Sequence, residues 1–230
     1  MGKTVAIVQL NYIPWKGYFD LINLADELIL LDDVQYTSQD WRNRNVIKTP
    51  SGPRWLTIPV VRRGRMLRRI NETRISDPNW SATHLRRVTG NYAGAPHFET
   101  YRRLVADLYA PDDERYLSRI NRRFIDRICQ LLGISTRISR SSDYELVGGR
   151  TERLVSLCRQ AGATAYLSGP AARAYLEPER FEAAGIVLRY MDYAGYPEYR
   201  QLYPPFEHRV TVLDLIFNEG RDAPKYMKSF

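Results

Sequence analysis

Two acidic residues stand side by side directly after an apolar run. Residues 28–31 are apolar throughout, and Asp32 and Asp33 follow them. Paired carboxylates at the end of a buried strand bind a divalent cation, hold ribose or amino groups, or act as a general base. One aspartate could instead cap a turn. Because burying two acids costs desolvation energy that capping rarely requires, the pair is a candidate for catalysis.

Amide and guanidinium groups form a second candidate set. Residues 41–45 read Trp-Arg-Asn-Arg-Asn. Alternate residues of an extended segment share a face, so Asn43 and Asn45 should point one way and Arg42 and Arg44 the other. Asparagine amides recognise the polar edge of a ligand, and arginine clamps a carboxylate or phosphate with two hydrogen bonds. A polar turn that enters a hairpin explains the same pattern without a ligand.

Other side chains of the predicted pocket lie near strand ends. Ser168 and Gly169 follow an apolar strand and offer a hydroxyl and backbone N–H groups, which cradle an anion or simply turn the chain. The aromatic residues after the first strand line a pocket wall or pack in the core. The predicted substrate-binding residues are Gln9, Asn11, Tyr12, Trp15, Tyr18, Gln35, Asn43, Arg44, Asn45, Lys48, Ser168 and Gly169.

The two aspartates are expected to have different tasks, because adjacent residues at a strand end point in different directions. We assign Asp33 as the general base or the ligand of a substrate amine. Asp32 is assigned to bond with nearby N–H donors or with Asn and Arg side chains. Arg44 would neutralise an anionic part of the donor.

The elements that position these residues follow an α/β pattern. Short apolar runs at 5–9, 28–31, 165–167 and 187–191 alternate with segments of helical spacing, which is typical of parallel strands covered on both faces. We predict one α/β domain over residues 1–230, with a central, mainly parallel sheet of about five strands flanked by helices. Residues 78–132 are predicted to be a helical insertion. The candidate residues then gather at the carboxyl ends of the strands, where ligands bind in open α/β sheets.

Composition limits the compartment and the partners. The chain has 230 residues, a net charge of +8 and 34 basic residues. No stretch approaches the roughly 18 apolar residues of a membrane span. No secretory signal is visible at the start of the chain. Cys129 and Cys158 fall in apolar helical patterns, which favours buried reduced thiols and a cytoplasmic location.

Several common enzyme classes lack their signatures. His84, His97 and His208 are far apart and no Cys-x-x-Cys occurs, so no metal site is predicted. The chain has no Gly-x-Ser-x-Gly elbow, no Walker loop and no Gly-x-Gly-x-x-Gly fingerprint. The sequence therefore names no cofactor.

Basic residues are densest in one short segment. Five arginines fall at positions 62, 63, 65, 68 and 69. A basic surface attracts nucleic acid or phosphorylated metabolites, whereas an exposed solvated loop needs neither. Since no RNA-recognition signature accompanies the cluster, the expected partner is a small molecule with a phosphate or carboxylate, and RNA is the alternative.

Taken together, these motifs resemble the WbqC-like family. The cues run in consistent order along nearly the whole chain: 9–19 (QLNYIPWKGYF), 32–35 (DDVQ), 43–45 (NRN), 55–60 (WLTIPV), 166–169 (YLSG) and 213–220 (LDLIFNEG). The family usually has His-Gln-Pro-Asn at the end of the first strand. Here residues 8–11 read Val-Gln-Leu-Asn, so any role of that histidine is absent.

The resemblance implies a bacterial protein of O-antigen, other exopolysaccharide or specialised-metabolite biosynthesis. It suggests a transferase for an acyl, aminoacyl or related group that acts on an amino sugar or small amine. One alternative is a binding module for RNA or an anionic ligand, without catalysis. A second is a nucleotidyltransferase-like enzyme. Residues 15–18 stand where the His-x-Gly-His signature of that superfamily would be, and residues 168–170 resemble its late loop in position only.

Overall fold

Five parallel strands form the centre of the fold in the computed structural model, which describes residues 2–61 and 68–230. Their spatial order is β5-β2-β1-β6-β7. The strands in chain order are β1 (Thr4–Val8), β2 (Glu27–Leu30), β3 (Arg44–Thr49), β4 (Gly52–Thr57), β5 (Arg137–Arg140), β6 (Ala165–Ser168) and β7 (Val187–Tyr190). The α/β fold with a parallel sheet predicted from the sequence is confirmed.

Strands β3 and β4 form an antiparallel hairpin outside this sheet. Seven α-helices in the described residues flank the sheets. They are α1 (Lys16–Asn23), α2 (Trp80–Tyr92), α3 (Phe98–Leu108), α4 (Leu117–Leu132), α5 (Arg150–Gln160), α6 (Pro178–Glu182) and α7 (Val212–Glu219). Four 3-10 segments, at Ile70–Glu72, Ser141–Asp143, Pro170–Ala174 and Gly220–Tyr226, complete the regular structure in the described ranges. None of the helices there has both the length and the apolar character needed to cross a membrane.

The sheet separates two apolar cores because successive strand residues point to opposite faces. On one face, Ala6 and Leu28 pack with helices α1, α2, α3, α4 and α7. On the other face, Ile7 and Ile29 pack with α5 and α6. Burial on both faces explains why the strands are continuous apolar runs.

The stretch predicted as a helical insertion contains α2, α3 and α4. Their buried residues belong to the same apolar cluster as those of α1 and α7, so these helices share the core of the main sheet. Helix α4 ends at Gly133, whose φ of 72° is left-handed, as expected for a glycine at this position. Cys129 and Cys158 are buried free thiols.

A buried carboxylate joins the second half of the chain to the helices. Asp214 accepts hydrogen bonds from the hydroxyls of Tyr199 and Tyr92, at 2.7 and 2.8 Å, and from the amide of Gln201 at 2.9 Å. Burial raises the pKa of the Asp214 carboxyl. The three donors satisfy a group that would otherwise be costly in the core.

Candidate active site

The ends of three neighbouring strands bring the predicted residues to one edge of the sheet. Strand β1 pairs in parallel with β2 on one side and with β6 on the other. The chain therefore leaves β1 toward β2, whereas β6 and β7 lie on the opposite side, and this makes a topological switch point. Asp33 follows β2 and Ser168 ends β6, so both lie at the carboxyl edge of the sheet.

A strained turn follows β1 at this edge. Ile13 has a φ of 41°, in the left-handed region that a β-branched residue rarely adopts. The Asn45 amide donates hydrogen bonds to the carbonyls of Tyr12 and Ile13, at 2.9 and 2.6 Å, and the Tyr12 N–H donates to the Trp41 carbonyl at 2.9 Å. The hairpin thus holds the turn in a conformation that it would not adopt alone, as is common at functional sites.

The turn forms one wall of an aromatic cavity of about 570 Å³. The Trp15 ring contacts the rings of Tyr193 and Tyr196, with centroids 5.0 and 5.4 Å apart. The complete lining is Asn11, Pro14, Trp15, Trp41, Asn45, Tyr193, Ala194, Gly195, Tyr196, His208 and Arg209. Cavities of this size bind small molecules through apolar walls and a few polar groups.

A glycine beneath Trp15 sets the position of the indole. A Cβ atom at Gly17 would lie 2.4 Å from the Trp15 ring, which is closer than two carbon atoms can approach. Only glycine therefore allows the indole to lie over the first turn of α1. The glycine of the Trp-Lys-Gly-Tyr sequence has a packing role at the cavity wall.

A half-buried guanidinium adjoins the cavity. Arg42 donates a hydrogen bond to the side-chain oxygen of Asn11, and its side chain is 14% exposed. Asp40 lies 3.5 Å from the Arg42 guanidinium, and the Arg42 carbonyl accepts from the Asn121 amide at 2.7 Å. Within the described part of the chain, Nε of Arg42 is buried without a hydrogen-bond partner. A guanidinium so placed can bind an anionic group.

One histidine lines the cavity. Nδ1 of His208 is buried and has no hydrogen-bond partner among the described residues. Burial lowers the pKa of His208, and the nearby Lys16 lowers it further. A neutral imidazole at this wall can accept a proton from a bound ligand.

Lys16 is buried behind the same wall. Its ammonium donates to the Pro197 carbonyl at 2.8 Å and lies over the Tyr196 and Tyr199 rings, 5.0 and 5.2 Å from their centroids. Burial lowers the pKa of Lys16 to about 8. The lysine therefore supports the 196–199 segment from inside.

The two aspartates have contacts that differ from those expected. Asp33 accepts a hydrogen bond from the Ser141 hydroxyl at 2.7 Å and pairs with the Arg153 guanidinium at 3.2 Å. Asp32 is 3% exposed, and its Oδ1 has no hydrogen-bond partner in residues 2–61 and 68–230. Burial raises the pKa of the Asp32 carboxyl. Asp33 thus has side-chain partners of the kind expected for Asp32, and neither residue lines the aromatic cavity.

A second cavity contains three other predicted residues. Gln35, Asn43 and Arg44 line a space of about 1230 Å³ together with Arg68. The Asn43 amide donates to the Ile58 carbonyl at 2.9 Å. Three arginines of the basic cluster, at 62, 63 and 65, lie outside the described residues. The single pocket predicted from the sequence is therefore divided between two cavities.

The remaining predicted residues have contacts within the protein. The Tyr12 hydroxyl bonds to Nδ1 of His84 at 2.8 Å in the core, and Lys48, 1% exposed, donates to the Pro205 carbonyl. The Tyr18 hydroxyl donates to the Gln9 carbonyl at 3.1 Å.

At the end of β6, the Ser168 hydroxyl accepts from the Tyr166 hydroxyl at 3.3 Å. A Cβ atom at Gly169 would lie 4.0 Å from the Tyr193 hydroxyl, so this glycine adjoins the segment that lines the cavity.

Sequence reasoning missed the other half of the cavity. Tyr193 and Tyr196 follow β7, and His208 and Arg209 lie in the loop before α7. The Tyr-Ala-Gly-Tyr sequence at 193–196 comes just after a predicted strand, so the rule that ligands bind at carboxyl ends could have identified it. No comparable signal marks the 208–209 pair.

Comparison with known proteins agrees with the motifs. The chain is 50% identical over 226 residues, 98% of both chains, to the uncharacterized protein Rv1507c of Mycobacterium tuberculosis strain H37Rv. No solved structure matches it at a significant level. Residues 9–226 match the WbqC-like protein family, which is nearly the whole length. The chain therefore belongs to the WbqC-like protein family.

Proposed function

We propose that the chain is a group transferase that moves an acyl, aminoacyl or related group onto an amino sugar or small amine, in polysaccharide or specialised-metabolite biosynthesis. The aromatic cavity at the switch point is its active site. One observation carries the proposal: a cavity walled by Trp15, Tyr193 and Tyr196 adjoins the half-buried guanidinium of Arg42. Aromatic faces pack on the apolar face of a sugar ring and attract a cationic amine.

The transfer step assigns each group a task. The amine nitrogen of the acceptor forms a bond to the electrophilic carbon of the donor, and the bond from that carbon to the leaving group breaks. The leaving group departs with the electron pair, and the Arg42 guanidinium neutralises its charge. The proton lost by the amine passes to a base in the cavity.

His208 is the residue best placed to be that base. It lines the cavity, and burial together with the nearby Lys16 lowers the pKa of His208, which favours the neutral imidazole. Asp33, the base predicted from the sequence, is already paired with Arg153 and Ser141. Asp33 is expected to support the edge of the sheet instead. Assigning the base to His208 or to Asp33 leads to different predicted activities for variants of these residues.

Product formation tests the proposal. Purified protein is incubated with amino sugars and with acyl or aminoacyl donors that raise its melting temperature, and the N-acylated product is detected by mass spectrometry. Replacing a general base lowers turnover by roughly 10²–10⁴-fold, so we expect this loss for His208→Gln. His97→Gln is the matched control and should keep its activity.

Other outcomes of this experiment would change the assignment. Full activity in His208→Gln together with a large loss in Asp33→Asn would return the base to Asp33. Ligands that stabilise the protein while no donor and acceptor pair gives a product would contradict the transferase proposal. Tight binding of RNA under those conditions would favour a binding module instead.

A further inference from the structure

Two tryptophans are exposed beside the cavity. Trp41 and Trp55 are 39% and 43% exposed, and their ring centroids lie 5.2 Å apart. The Arg44 guanidinium lies 4.2 Å from the centre of the Trp55 ring. We call these three residues, Trp41, Arg44 and Trp55, the aromatic shelf. It presents two of the four tryptophans of the chain to solvent.

The backbone of the shelf is firmly held although its rings are exposed. The Trp41 carbonyl accepts from the Tyr12 N–H at 2.9 Å, and the Trp41 N–H donates to the Asp40 carboxylate at 2.7 Å. Trp55 lies opposite Val46 in the β3–β4 hairpin. Large aromatic rings bury much apolar surface when they can, so a rigid exposed pair is typical of a surface that binds a ligand.

The shelf continues into the aromatic cavity. Trp41 belongs to the shelf and also lines the cavity, and the exposed Arg209 lines the cavity too. Arg42 comes directly after Trp41 in the chain and bonds to Asn11 on the cavity wall. The exposed rings, the Arg209 guanidinium on the cavity wall, the Arg42 guanidinium bonded to Asn11 and the aromatic walls therefore lie next to one another.

This order of groups matches a ligand that is flat at one end and anionic in the middle. Nucleobases stack on aromatic side chains and on arginine planes, and arginine binds phosphate oxygens with two hydrogen bonds. A sugar ring alone would use the rings but not the guanidinium groups. RNA would need a groove that follows its backbone, whereas this surface leads into a cavity of about 570 Å³.

We propose that the aromatic shelf binds the base of a nucleoside diphosphate-linked substrate. The diphosphate lies at Arg42 and Arg209, and the group attached to it enters the cavity. This proposal rests on the proposed transferase function and specifies that one of its two substrates carries a nucleotide. It also explains why a small-molecule enzyme exposes tryptophan at its surface.

Calorimetric titration with nucleoside diphosphates tests the shelf. Uridine, thymidine, guanosine and adenosine diphosphates are each titrated into wild type, Trp55→Ala, Trp55→Phe and Arg54→Gln. Stacking on one aromatic side chain contributes about 1–3 kcal/mol, so Trp55→Ala should weaken the best diphosphate about 10- to 100-fold. Trp55→Phe should restore most of this affinity. Arg54→Gln, on the same hairpin, should change it less than twofold.

Three results would overturn the proposal that the shelf binds a nucleobase. One is equal affinity of wild type and Trp55→Ala. Another is equal binding of inorganic pyrophosphate and of the nucleoside diphosphates, which would show that the base contributes nothing. The third is single-stranded RNA that binds more tightly than any diphosphate and loses its affinity in Trp55→Ala, which would make this an RNA surface. Circular dichroism of each variant checks that the fold is intact.

Different results contradict the shelf proposal and the transferase proposal. Diphosphate binding that depends on Trp55, with no product from any donor and acceptor, would support the shelf and contradict the transferase. Product formed at the wild-type rate and KM by Trp55→Ala would support the transferase and contradict the shelf.

Discussion

The hydroxyl of Tyr196 donates a hydrogen bond of 2.6 Å to the carboxylate of Asp20 and so ties a wall of the aromatic cavity to helix α1. The same carboxylate, fully buried, accepts from the backbone N–H groups of Lys228 and Ser229, at 3.1 and 2.9 Å. One residue of α1 therefore positions both the cavity wall and the 228–229 segment.

Replacing Asp20 should loosen both attachments. Asp20→Asn turns an acceptor-only group into one whose NH2 faces other donors, so we expect a loss of about 2–3 kcal/mol in the free energy of unfolding. Ligands of the cavity should also bind more weakly. Urea unfolding and ligand-induced melting shifts measure these changes. The control is Asp192→Asn, whose side chain is 78% exposed and should stay within about 0.5 kcal/mol of wild type. Equal stability of the two variants would rule out the role of Asp20.

Two glycine substitutions should have opposite effects. Gly17→Ala places a methyl group against Trp15, so we expect a displaced indole, lower stability and weaker ligand binding. Gly90→Ala meets no atom within 4 Å in helix α2 and should raise stability by about 0.5–1 kcal/mol. Thermal unfolding and the intrinsic tryptophan fluorescence, to which Trp15 contributes, distinguish the two. A Gly17→Ala variant with wild-type ligand affinity would show that the indole position is unimportant.

The strands were predictable because each is a continuous apolar run, and such runs are typical of a sheet buried on both faces. The same pattern also predicted that polar residues would lie at the carboxyl edge of the sheet. Asn11, Trp15 and Asn45 do meet in one cavity. Asn11 and Trp15 follow β1 at the carboxyl edge of the parallel sheet, a position that sequence periodicity can indicate, whereas Asn45 reaches the cavity from the antiparallel β3–β4 hairpin.

What the sequence could not indicate is how loops cover that edge. Asn45 has the type and position expected of a residue that binds a ligand. Its amide instead donates hydrogen bonds to the carbonyls of Tyr12 and Ile13 in the strained turn. Asp33 resembles a free base, yet Arg153 from α5 pairs with it across 120 positions of sequence. Such distant partners depend on tertiary packing, so residue type and local spacing do not reveal them.

The aspartate contacts lead to different stability effects for the two amide variants. Asp33→Asn weakens the bonds to Arg153 and Ser141 and should cost about 1–3 kcal/mol. Asp32→Asn removes a buried charge whose pKa is raised by burial, so stability at pH 7 should be unchanged or higher. Urea unfolding compares the variants, and Arg153→Gln should reproduce the loss in Asp33→Asn. A larger loss in Asp32→Asn would reverse this assignment.

Buried His84 should make the fold sensitive to acid. Nε2 of His84 donates to the Thr57 carbonyl at 3.1 Å, Nδ1 accepts from Tyr12, and burial lowers the pKa of His84 from 6.5 to about 4. As the pH falls, His84 is therefore protonated in the unfolded chain at a higher pH than in the folded protein. The contribution of neutral His84 is complete above pH 6.5 and declines as the pH falls toward 4, by about 3 kcal/mol in all.

The comparison with His84→Gln, which cannot titrate, isolates this contribution. The difference in unfolding free energy between wild type and His84→Gln should shrink steadily as the pH falls from 7.5 to 4. Urea unfolding at four or five pH values measures it. A difference that stays constant over this range would mean that His84 does not titrate with the predicted shift.

The location of the active site is tested most directly by a crystal structure with a ligand bound. The ligand would be the amino sugar, or the donor, that raises the melting temperature most. We predict that it lies in the aromatic cavity against the Trp15 and Tyr196 rings, with an anionic group of the donor about 2.7–2.9 Å from the Arg42 guanidinium. A ligand bound over Arg68 and Arg69, with the aromatic cavity empty, would contradict this location.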